Sequence, residues 1–274
     1  VARPPVFAPS RRSVTAKAPR SPWAWGVSGL LAGVLPAVVA FAPAQWLASA
    51  VTRGTQGQVQ LLQARGTVWS GSAQVVLTGG AGSQDRAALP SRVQWQLSLG
   101  WGNLHVQART DCCTPQGPLQ AHITPRWSQV HIAVADGQSQ WPSALLTGLG
   151  TPWNTLQPSG TLAIQTQGLG FTLQGGRVAV AGQAQLDAID MASRLSTLRP
   201  MGSYRLVLQG GDAPTLALTT TQGDLQLSGS GQWVGQRLRF TGEATATPER
   251  EAALANLLNL IGRRQGARSL ITVG

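Results

Sequence analysis

Three histidines and one pair of adjacent cysteines are the residues of this chain best suited to carry chemistry. His105 alternates with Leu104 and Val106, and His131 with Val130 and Ile132, so both take the polar face of a strand. His122, just before Ile123, reads the same way. Zinc sites gather three or four ligands, often from closely spaced pairs. These histidines are far apart in the chain, no Cys-x-x-Cys accompanies them, and no metal is expected. Ser, His and Asp are all present, but no Gly-x-Ser-x-Gly elbow joins a strand to a helix, so no hydrolytic triad is expected. The glycines at 79–82 read as a turn, because neither phosphate-binding fingerprint is complete around them. No acid, base and nucleophile converge. The reading is of a protein without a catalytic site and without a cofactor.

Cys112 and Cys113 are the most distinctive dipeptide. Adjacent cysteines close only a strained ring, with Cα atoms nearer than the usual range of about 4.4–6.8 Å. In an oxidising compartment two free thiols are unusual. A vicinal disulfide locking the turn at 111–118 and a bond to another chain are both open, the lock being preferred. A catalytic thiol needs an electropositive setting, and Arg109 alone lies near.

The elements that would position such groups follow from composition. The 274 residues are 42% hydrophobic and only 11% charged, with 21 Lys and Arg against 10 Asp and Glu. An average soluble chain carries about 25% charged residues, so Gly, Ser, Thr and Gln must solvate this surface. The formal charge of +11 invites a nucleic-acid reading, but its distribution does not support one. Arg3, Arg11, Arg12, Lys17 and Arg20 crowd the start, Arg263, Arg264 and Arg268 the end, and the remaining arginines are scattered singly. Nucleic-acid binders cluster their cations on one face. No nucleic-acid partner is expected.

Residues 21–52 carry no charge. Their centre, 23–42, is long enough at about 1.5 Å per residue to cross the hydrocarbon core of a bilayer. Trp23, Trp25 and Trp46 flank it as candidate membrane-interface anchors, and the basic leader before it sets the N-terminus in the cytoplasm. A cleaved leader is the alternative, with a small-residue site at 42–44. Against it stand the long basic segment and an apolar core beyond the usual range of about 7–15 residues. The predicted organisation is a basic cytoplasmic tail (1–22), a transmembrane helix (23–42), a juxtamembrane segment (43–58), a first β subdomain (59–140), a connector with a short helix (141–160), and a second β subdomain with a C-terminal helix (161–274).

Beyond the span the pattern has period two. Val93, Trp95, Leu97 and Leu99 share one parity with Trp101, and Gln and Ser fill the other, as in a strand with one buried face. Similar short runs recur to the end, separated by turn signals at 79–80, 175–176, 210–212 and 222–223, which reads as consecutive antiparallel hairpins. Helices are expected at 141–149 and 187–198. A stronger one follows Thr247 as cap and Pro248 as first residue, where Leu254, Leu257, Leu258 and Ile261 form a stripe ended by Gly262.

These segments resemble a known family, type II secretion system protein N. The resemblance rests on the basic leader and single span, on Ala-Arg-Gly-Thr-Val-Trp-Ser-Gly from Ala64, and on Leu89-Pro90 before the Trp95 strand. It continues with Trp-Pro-Ser-Ala-Leu-Leu from Trp141, Gly-Leu-Gly-Thr-Pro-Trp-Asn-Thr-Leu-Gln-Pro-Ser-Gly from Gly148, Pro-Met-Gly-Ser-Tyr from Pro200, Thr-Gln-Gly-Asp-Leu from Thr221, and Leu-Leu-Asn-Leu-Ile-Gly from Leu257. It implies a non-enzymatic, single-pass inner-membrane protein with its bulk in the periplasm. Its partners would be other inner-membrane components of the type II secretion system, whose assembly or stability it supports. It also implies a mainly β, curved antiparallel sheet like that of AsmA-like periplasmic proteins. A sheet groove that binds or transfers an acyl lipid is the alternative, motivated by the Trp95–Trp101 stripe.

Overall fold

The computed structural model describes residues 23–235 and 237–274. The chain divides into two units, Val1–Phe41 and Ala42–Gly274. In the first, α1 (Trp23–Ala40) contains Pro36 and exposes Trp23, Leu30, Val34, Val38 and Val39. The basic tail at 1–22 lies outside the described residues, as does the side chain of Trp25. The expected span over 23–42 is corrected at its end. The helix has 18 residues, about 27 Å at 1.5 Å each. Ala42 precedes Pro43 and is disfavoured from helical geometry; its carbonyl instead accepts the Val68 N–H at 2.8 Å. Among the described residues no helix is long and apolar enough to cross a membrane.

The second unit begins with α2 (Ala44–Gly54), where a juxtamembrane segment was expected. Its strands form one sheet of sixteen. The first half contains β1 (Val59–Gly66), β2 (Ser70–Thr78), β3 (Arg86–Ala88), β4 (Val93–Leu99), β5 (Leu104–Thr110), β6 (Leu119–Arg126), β7 (Gln129–Val134) and β8 (Gly137–Pro142). A 3-10 turn (Ser143–Leu149) and α3 (Trp153–Leu156) follow. The second half contains β9 (Ser159–Gln174), β10 (Arg177–Ala192), β11 (Gly202–Gly211), β12 (Thr215–Gly223), β13 (Leu225–Val234), β14 (Arg237–Ala246), β15 (Arg263–Gln265) and β16 (Arg268–Val273), with α4 (Glu251–Ile261) before β15. Nearly every strand pairs antiparallel with its neighbours in sequence. β9 joins the halves: Thr161–Thr166 lie beside β8, and Gly170–Gln174 beside β7. The two predicted β regions are therefore one continuous sheet.

One face of this sheet is largely apolar. Cross-strand register aligns Trp95 with Ala108, Leu97 with Val106, Leu104 with Ile123, and Ile132 with Phe171. The row continues through Leu186 opposite Leu206 and Leu206 opposite Leu218. Alternation would break within β9, where even-numbered Leu162 and Ile164 face the same way as odd-numbered Phe171 and Leu173. A β-bulge restores it: Gly168 and Leu169 stand opposite the single residue Gly182. Such an insertion shifts the side-chain phase by one and bends the strand. Both glycines have positive φ, 56° and 75°, and a Cβ on Gly182 would overlap the Gly168 carbonyl oxygen.

Helices cover parts of the apolar face. α2 sets Ala44 and Leu47 against Ala73 and Trp95, and the Trp95 indole N–H donates to the Val68 carbonyl at 3.0 Å. The 3-10 turn buries Leu145 with Leu89 and Cys113. α4 buries Leu254, Leu257 and Leu258 over Tyr204, Leu225 and Ala244. It starts after Pro248 and stops at Gly262. Thr247 caps the 3-10 turn Pro248–Arg250 that leads into it, but the Thr247 hydroxyl turns to the Asp224 carboxylate at 3.3 Å. The helix expected at 187–198 is not formed. β10 runs to Ala192, and turns follow it.

Candidate functional site

The chemistry-bearing residues singled out from the sequence do not form a reaction centre. His105 and His122 are cross-strand partners whose rings meet edge to face, centroids 4.3 Å apart. His131 pairs with the Thr172 hydroxyl at 3.1 Å on another strand. Among the described residues, no group of three His, Cys, Asp or Glu is placed to hold a metal.

Cys112 and Cys113 are joined in a vicinal disulfide, their Cα atoms 3.7 Å apart. Cys112 is exposed, its N–H donating to the Ser91 hydroxyl at 3.2 Å. Cys113 is buried beneath the 3-10 turn, and its carbonyl accepts the Gln140 N–H at 2.9 Å. The bridge stiffens the β5–β6 connection, and the Gln140 hydrogen bond ties that connection to β8, the strand that leads into the turn. The candidate interface residue Trp23 is exposed in α1. Trp46 stands exposed on α2, which is packed on the sheet.

Two features emerge that the linear sequence did not indicate. The first is an apolar groove of about 550 Å³ between α3, α4 and strands β9 to β13. Leucines line its floor: Leu162, Leu186, Leu206, Leu218 and Leu227, each half-buried. Leu257 and Leu260 of α4 form one wall, with Trp153 and Leu156 of α3 across from them. The size falls among small-ligand clefts of about 300–1,000 Å³. Two polar side chains belong to the lining: Ser193, whose hydroxyl donates to the Leu156 carbonyl at 2.6 Å, and Tyr204, whose hydroxyl is buried without a hydrogen-bond partner. Burial raises its pKa above the ordinary phenol value, so it is a neutral donor at physiological pH. Leaving such a group unpaired in the interior is costly.

The location corrects the sequence expectation. The Trp95 stripe was to line the groove, but α2 fills the space above Trp95 and Leu97. The open part of the apolar face lies instead in the C-terminal half. Its signal in the sequence was the leucine alternation of 204–208 and 216–218, read there only as strand pattern.

The second feature is on the polar face. Register sets Arg65 opposite Ser72, Ser72 opposite Gln94, and Gln94 opposite Arg109. Arg92 enters the same depression and is held by the Gln63 and Ser72 carbonyls at 2.8 and 3.1 Å. Arginines that look scattered in the chain thus converge, and among the described residues none of the three forms an ion pair. Farther along this face, Asp187 is paired with Arg205 at 2.7 Å. Burial works to raise the Asp187 pKa, but hydrogen bonds from Arg205 and Gln185 outweigh it and hold the carboxyl below its ordinary value.

The comparisons with known proteins give one match. Residues 57–271 match the family described as type II secretion system (T2SS), protein N. Neither a curated protein nor a solved structure matches the chain.

Proposed function

The chain belongs to the type II secretion system protein N family, and from that premise we propose that it is a non-enzymatic, single-pass inner-membrane accessory component that supports assembly or stability of the machinery exporting folded proteins. Membership supports a role in type II secretion and contacts with other components of that system. The observation that carries the reading is the extent of the match, which takes in all but the last two residues of the sheet. The uncharged run at 21–52 behind a basic leader is what supports the membrane anchor, with the N-terminus cytoplasmic and the sheet periplasmic. Tethering raises the local concentration of the sheet beside membrane-bound partners.

The contact we favour is strand addition at a sheet edge. Of the two ends of the main strand order, β15 is three residues long and carries Arg263 and Arg264, features that discourage pairing. β1 is eight residues long, with Leu62 exposed at its free edge. Cross-linking of the full-length chain in its own membrane, followed by mass spectrometry, is expected to recover other components of the secretion system. Gln60→Lys with Leu62→Lys is expected to abolish that recovery while the circular dichroism of the sheet is retained. Undiminished cross-linking would refute the edge contact, and absence of secretion components from the wild-type sample would refute the assembly role.

A second reading is favoured by the apolar groove: a site for an acyl chain lying along the leucine floor. Leu206→Trp would fill the floor. Native mass spectrometry of the gently extracted protein is expected to show bound acyl lipid, reduced at least tenfold in this variant. Equal lipid in both would sink the reading.

A further inference from the structure

Three hairpin turns share the edge of the sheet at which the chain enters it. Pro43 is bridged to Thr67 in the β1–β2 turn. The Leu97 N–H donates to the Trp69 carbonyl at 2.6 Å, so β4 runs past that turn before it reverses at Trp101. Leu104 pairs with Ile123, which carries the end of β6, at Arg126, to the same edge. Trp127 forms the turn there. Neighbouring hairpins repeat at about 10 Å, twice the strand spacing.

The side chains at these tips are unusual for a watery edge. Trp101 and Trp127 are fully exposed, and Leu99 beside Trp101 is 72% exposed. Neither turn contains an acid, and Arg126 stands directly before Trp127. An indole has an apolar body and one N–H donor, the combination that settles at the level of lipid headgroups. A cation beside it is drawn to anionic lipid. Ordinary packing does not explain two such tryptophans, since nothing in the second unit covers them.

We propose that this edge is a bilayer-docking surface, with Trp101 and Trp127 seated among the headgroups of an anionic leaflet and Arg126 against lipid phosphate. The inference rests on the membrane-anchored reading, in which the lipid lies where the chain enters the sheet. Docking then holds the sheet on its end against the membrane, where a tether alone would leave it free to turn.

The test uses the full-length chain labelled with 5-fluorotryptophan, in nanodiscs of phosphatidylcholine and phosphatidylglycerol that carry a gadolinium-chelating lipid. Substitution to Phe at Trp23, Trp101, Trp127 and Trp153 assigns the four resonances. The expected result is strong broadening of Trp23, Trp101 and Trp127, with Trp153, beside the opposite end of the strands, left sharp. If Trp23 broadens and the two tip residues do not, the docking edge is overturned and the anchor stands. If none broadens, the anchored reading fails and the inference with it. Broadening of all four alike would also overturn it, because the sheet would then lie flat or bind without preference.

Discussion

Leu258→Ala is expected to lower the stability of the second unit by about 2–5 kcal/mol, the range for removing a large aliphatic side chain from a packed interior. Leu258 is fully buried, as is Leu254 one turn earlier on α4. Its backbone is also held: the Ser269 hydroxyl donates to the Leu258 carbonyl at 2.6 Å in a buried setting. The site is clamped between helix and strand, so the surroundings cannot collapse easily into the space left. Leu260→Ala, two residues along at the open wall of the groove and 46% exposed, gives up far less packing and is expected to change stability by less than about 1 kcal/mol. Chemical denaturation followed by circular dichroism checks both. Equal effects would mean that α4 does not hold the C-terminal half together.

Gly182→Ala is the second large effect. With φ at 75° the position costs a side-chain-bearing residue about 1–3 kcal/mol in backbone strain alone. A Cβ there would also overlap the Gly168 carbonyl oxygen, so the bulge between β9 and β10 must open. Gly175→Ala is the control, because it too has positive φ, 54°, but no atom near its missing Cβ. The difference between the two variants, read from denaturation midpoints, measures the close approach itself. It is expected to be unfavourable to Gly182→Ala by at least 1.4 kcal/mol, about tenfold in the folding equilibrium. A difference near zero would mean that the two long strands tolerate a shifted register.

Much of the architecture was legible because its signals are local. The alternation around Trp95 needs only one strand, and the α4 stripe with Pro248 before it and Gly262 after it needs only one helix. The failed helix at 187–198 shows where such signals mislead. A register shift between Ala188 and Met191, with Asp190 at a φ of 51°, interrupts the strand alternation. Met191, Leu195 and Leu198 then fall at helical spacing, yet they reach the same apolar cluster from a strand end and turns. The candidate site was less legible than the fold. Arg65, Arg92 and Arg109 look dispersed until cross-strand register brings them together. The continuity of the apolar face depends on the bulge at Gly168, which gives Leu162 and Phe171 a common side, and the groove depends on α2 covering one end of that face but not the other. Pairwise register is a property of two segments at once and leaves no mark on either alone.

The nearly unbroken meander of the sheet also bears on how it forms. Most of its ladders join strands adjacent in sequence, so contacts close over short loops, and the entropy of closing them stays small. Each hairpin can complete as soon as its second strand is available, without waiting for distant segments. The order of closure can then follow the order of delivery from the N-terminal end. The interruption comes at β9, which must find β7 across the intervening residues 135–158. Assembly up to β7 and assembly from β9 onward are thus the natural halves of a stepwise process, with the pairing of β7 and β9 as the step that unites them.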